Sequence, residues 1–103
     1  MPAQLAEQQP GVWQVSGAID FNSVVPLSDA GCDAIEQAGG VCRFDFSAVS
    51  SVNTAALSLL LNWRRKGQQR GTEVEFCSLP AELHAIAALS DLQSLVAAPD
   101  RDS

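Results

Sequence analysis

The stretch RFDFSAVSSVNTAALSLLL, residues 43–61, constrains the fold of this chain more than any other. Arg43 to Phe46 alternates polar and apolar residues, as a strand buried on one face does. A polar turn follows, and a long apolar helix opens at Asn53-Thr54. A strand that feeds directly into a helix is the repeating step of an α/β fold, and the next strand must then return parallel through a right-handed crossover.

The flanking sequence repeats this step. Residues 1–10 are polar and bounded by proline, which predicts a flexible lead-in. Val12 to Val15 alternates as a strand, Gly17 interrupts it, and Ala18 to Asp20 returns as a second short strand. Asn22 or Ser23 is expected to cap a helix. On that helix Val24, Leu27, Gly31, Ala34, Ile35 and Ala38 share a face. Pro26 is acceptable near its first turn, and Gly39-Gly40 stop it. Val41 to Phe46 reads as a central strand and Thr54 to Gln69 as the second helix, closed by Gly71. Val74 to Cys77 forms another strand. Pro80 opens a third helix running to about Ser90, with Leu83, Ile86 and Ala87 facing inward. Leu95-Val96 could add an edge strand, and residues 99–103 are expected to be a disordered tail. The predicted fold class is therefore α/β. It has a small mixed sheet of four to five strands, with three to four helices mainly on one face. The folded domain spans residues 11–98.

The second helix is unusually apolar. At 100° per residue, Ala55, Ala56, Leu57, Leu59, Leu60, Leu61 and Trp63 cover roughly two-thirds of its circumference, whereas a one-sided surface helix needs a stripe a little over about 100° wide. Thr54, Ser58, Asn62, Arg65 and Gln69 fill the rest. Two readings follow. Either both flanks are buried within the monomer, or part of this face is covered by another protein. Thr54, Ser58, Leu61 and Arg65 form the candidate partner-binding strip, with Asn53 as helix cap and Thr54 as a possible phosphate acceptor at the positive helix pole. Trp63 reads as core. Arg64, Arg65, Lys66 and Arg70 read as a solvated basic helix end.

Composition narrows the function. A net charge of −6 over 103 residues argues against general nucleic-acid binding and against direct docking to an anionic membrane. No hydrophobic run approaches the ~20 residues of a membrane span, and the first residues lack a signal-peptide pattern, so a cytoplasmic location is expected. Cys32, Cys42 and Cys77 have no metal-ligand spacing and are read as reduced thiols. His84 is the one histidine and has no evident catalytic partner. Asp20, Asp29, Asp33 and Glu36 lack calcium-loop spacing. The expectation is a non-enzyme with no metal and no cofactor.

Over residues 12–97 the chain resembles the STAS domain family, which includes anti-sigma-factor antagonists. The resemblance is carried by RFDFSAVSSVNTAALSLLLNW, the basic helix end, Gly71, VEFCSLP and AELHAIAALS. Its most specific element is Val52-Asn53-Thr54-Ala55-Ala56-Leu57. In phosphorylatable antagonists the matching run reads Asp-Ser-x-Gly-Leu. Thr54 falls on the phosphate-accepting Ser, Asn53 replaces the Asp and Ala56 replaces the Gly. FNSVVPLSDAG and NTAALSLLLNWRRKGQQRG, with Thr in place of Ser, look like the MlaB group. Those proteins are the small cytoplasmic STAS subunits of the Mla phospholipid-transport ABC complex of Gram-negative bacteria.

This resemblance implies a regulatory subunit that binds and supports the ATPase subunit (MlaF-like) of an ABC transporter maintaining outer-membrane lipid asymmetry. The subunit would act in a complex with the permease and reach the inner membrane only through its partner. The alternative it implies is an anti-sigma-factor antagonist controlled by phosphorylation at Thr54. Direct lipid binding in a small groove is a third possibility.

Overall fold

A computed structural model describes residues 3–89. The elements in chain order are β1 (Gln4–Gln9), β2 (Val12–Ile19), α1 (Val24–Gln37), β3 (Val41–Val52), α2 (Ala55–Arg70), β4 (Glu73–Cys77) and α3 (Ala81–Leu89). The four strands form one mixed sheet in the order β1-β2-β3-β4. β1 and β2 pair antiparallel, while β2–β3 and β3–β4 pair parallel. This is the α/β fold expected from the strand–helix alternation.

Several boundaries differ from expectation. Residues 4–9 are not a lead-in. They form edge strand β1, in which only Leu5 is even partly covered. Such a strand is held mainly by ladder hydrogen bonds and leaves little hydrophobic pattern. The two short strands expected over residues 12–20 are a single strand. Gly17 takes a φ of +86°, open to glycine, and the register slips beside it, so the strand bends without ending. β3 does not stop at Phe46. The serine-rich run read as a turn continues as strand to Val52, paired with Ser16 to Ile19 of β2. The third helix begins at Ala81, after Pro80. Ser90, Leu95-Val96 and the 99–103 tail lie outside the described residues.

The helices cover one face of the sheet. Along β3, Cys42, Phe44 and Phe46 are buried toward them. Arg43 points to the open face, where its guanidinium pairs with Glu75 of β4 at 2.8 Å. Trp63 of α2 is completely buried and stacks on Phe44 at 4.0 Å between ring centroids. Its indole Nε1–H donates to the Ser28 carbonyl of α1 at 3.1 Å. Gly31 is what lets α1 come this close, because a Cβ there would overlap the Trp63 ring. The core thus joins β3, α1 and α2 through one aromatic side chain.

This packing decides between the two readings of the apolar helix. Ala55, Ala56, Leu57, Leu59, Leu60 and Trp63 are all buried within the monomer. Most of the excess apolar face is therefore core. Leu61 is the exception, at 40% exposed.

Candidate functional site

Both helix starts that frame the site are built by short side chains. Before α1, the Asp20 carboxylate accepts the N–H groups of Asn22 at 2.9 Å and Ser23 at 3.0 Å. Ser23 Oγ accepts the Asp20 N–H at 3.1 Å and donates to the Ala18 carbonyl at 3.0 Å. This is a reciprocal capping box centred on Asp20. Ser23 stands at the N-cap position, as one of the two expected residues, but its side chain makes no bond into the helix and pairs with Asp20 instead. At α2, Asn53 Oδ1 accepts the Ala55 N–H at 2.8 Å. The Thr54 hydroxyl makes no capping bond, and Thr54 is exposed.

Because α1 and α2 each follow one parallel strand and precede the next, they run side by side in the same direction. Their starts lie at the carboxyl ends of β2 and β3. A groove of about 380 Å³ runs between them, lined by Val24, Val25 and Ser28 of α1 and by Ser58, Leu59, Leu61, Asn62 and Arg65 of α2. Asn62 Nδ2 donates to Ser28 Oγ and ties the two walls together.

Of the residues singled out from sequence, Ser58, Leu61 and Arg65 come together in this groove, and all three are exposed. Thr54 is not in its lining. It sits one turn before Ser58, on the neighbouring stretch of the same helix face. Sequence reasoning missed the α1 wall. Val25 is 64% exposed and Phe21, four residues earlier, is 70% exposed. The signal was an apolar residue beside half-buried Val24 and buried Leu27.

The basic helix end is less uniform than its composition. Arg64 lies over the Phe76 ring at 5.0 Å and reaches the Val74 carbonyl at 3.5 Å, and burial pulls its guanidinium below the ordinary value. Lys66 pairs with Glu36 of α1, and this holds the Glu36 carboxyl below the usual carboxylate range. Arg65 and Arg70 are exposed. His84 lies exposed on α3. The described thiols are free, and burial pushes Cys42 up to about 11. No described helix is long and apolar enough to cross a membrane.

A family model described as "Mlab, STAS domain" matches residues 3–97. The chain belongs to the STAS domain family. Among solved structures, the anti-sigma factor antagonist SpoIIAA in its unphosphorylated form is similar, with a TM-score of 0.69 at 17% identity over 90% of this chain and 84% of that one. The Bacillus cell fate determinant SpoIIAA in the phosphorylated form gives 0.66 at 17% identity, covering 90% of this chain and 86% of that one. A sulfate transporter family protein from Wolinella succinogenes gives 0.66 at 13% identity, covering 91% of this chain and 76% of that one. Likeness at these identities is a likeness of fold. No curated protein matches the chain.

Proposed function

We propose that this STAS domain is a non-catalytic regulatory subunit of a phospholipid-transport ABC transporter, docking on the ATPase subunit from the cytoplasmic side. The observation that carries this reading is the strip Thr54, Ser58, Leu61 and Arg65. The monomer buries the rest of the apolar surface of α2 and leaves these four residues open. A leucine 40% exposed beside a groove, on a helix otherwise packed on both flanks, is what a partner surface requires. The family description supports the choice of partner. The domain would act by binding one arrangement of the ATPase more tightly than another, since only differential affinity shifts such an equilibrium.

The test is co-purification with the cognate ATPase, followed by ATP hydrolysis with and without the domain. Binding and a changed hydrolysis rate are expected, and both are lost in Thr54→Glu. A Thr54→Glu chain that binds and regulates like the parent contradicts the assignment of the strip.

The second reading, an anti-sigma-factor antagonist switched at Thr54, is favoured by the exposed hydroxyl at the start of α2 and by the fold likeness to SpoIIAA. Incubation with a partner-switching kinase separates the two. A mass increase of one phosphate on Thr54, with binding to an anti-sigma factor, supports the switch. An unmodified chain that ignores the anti-sigma factor eliminates it.

A further inference from the structure

The groove between α1 and α2 runs against the charge of the molecule. The chain carries a net charge of −6, yet none of the eight residues lining the groove is acidic. Arg65 is the one charged residue of the lining, and among the described residues it makes no ion pair. Toward the opposite end α2 begins, with no acidic side chain in its first turn, so no carboxylate there offsets the positive helix pole. Between these ends the walls are mixed and uncharged, with Val24 and Val25 on one side, Leu61 on the other, and Ser28, Ser58 and Asn62 among them. Val25 and Leu61 are 64% and 40% exposed, and Phe21 extends the apolar rim one turn before Val25.

A furrow between two parallel helices is the shape that receives a third helix, through ridges into grooves. From Thr54 to Arg65 the helix advances about 16 Å, or roughly three turns. We infer that the groove receives an amphipathic helix of the partner ATPase, about three turns long, with apolar side chains between Val25 and Leu61 and a carboxylate against Arg65. One wall of the interface then lies on α1. This inference rests on the proposed ATPase partnership and adds the chemistry of the docking segment. A second copy of this chain is a poor occupant. A two-fold contact would set the same acid-free patch against itself, Arg65 included, between two molecules of like net charge.

The experiment measures the affinity of the cognate ATPase for the parent chain, Val25→Asp and Arg65→Glu, with hydrogen exchange locating the protected ATPase segment. Both positions are exposed, and circular dichroism verifies the fold of each variant. Val25→Asp is expected to weaken binding about tenfold or more, as loss of an interface anchor does. Arg65→Glu is expected to do the same, and to recover when one carboxylate of the protected segment is changed to lysine. Parent-like affinity of Val25→Asp overturns the α1 wall of the interface while leaving the partnership intact. Failure of the parent chain to bind the ATPase overturns both. A Val25-dependent dimer, or capture by anionic phospholipid vesicles that Arg65→Glu abolishes, in place of the ATPase complex, also overturns the inference.

Discussion

Replacing Gly31 by alanine adds one methyl group to the tightest contact between α1 and α2. On an open helix the change would stabilise the fold by about 1 kcal/mol, because glycine is the poorer helix former. Here the new Cβ would overlap the Trp63 ring. The ring has little freedom to yield, since it is fully buried and stacked on Phe44 at 4.0 Å. Overpacking of this kind costs about 1–3 kcal/mol. Moving the indole also weakens its 3.1 Å bond to the Ser28 carbonyl, worth about another 1 kcal/mol. The net expectation is a loss of about 2 kcal/mol, which lowers Tm by roughly 10 °C in a domain of this size. Urea unfolding followed by tryptophan fluorescence and near-ultraviolet circular dichroism measures it. A Gly31→Ala protein as stable as the parent, or more stable, refutes the claim that the close approach of α1 to Trp63 depends on the missing side chain at position 31.

The α2 cap and the buried thiol make two further tests. Asn53→Ala removes the acceptor of the Ala55 N–H and should cost about 1 kcal/mol in chemical denaturation, while Asn53→Asp should retain the parent stability. Equal losses in both would show that the oxygen does not cap. Burial pushes Cys42 from 9.0 to about 11, so the unfolded chain releases this proton first. The stability it contributes is therefore complete below about pH 9 and is lost as pH rises toward about 11. Cys42→Ala should be less stable overall but lose less between these limits, and an unchanged slope would count against this thiol as a source of the loss.

The α/β order was legible because two periodicities are clean. Alternation in Arg43–Phe46 marks a strand, and the Leu27, Gly31, Ala34, Ile35 spacing marks a one-faced helix. What stayed hidden depends on pairing between distant segments. Gln4–Gln9 is polar and becomes a strand only because β2 lies beside it. Ser47–Val52 has turn-like composition but is held extended by β2. Ser23 was legible as the N-cap of α1, but its pairing with Asp20 was not, since only the hydrogen bonds reveal it. The breadth of the apolar face on α2 was visible in its sequence, but how much of it α1, α3 and the sheet cover is a property of packing. Arg65 and Leu61 were found because the wheel places them at the edge of that face. Val25 was not, since one more valine beside a buried stripe resembles a continuation of the core.

The affinity of the cognate ATPase for the parent domain and for Leu61→Asp bears most directly on the docking strip. Leu61 is the one large apolar side chain of α2 left in solvent, so the substitution leaves the core untouched. A folded Leu61→Asp domain that binds at least about tenfold more weakly, as expected for loss of an interface anchor, with ATP hydrolysis reverting to the rate of the ATPase alone, is the predicted result. A folded Leu61→Asp domain that binds and regulates as the parent does would contradict it.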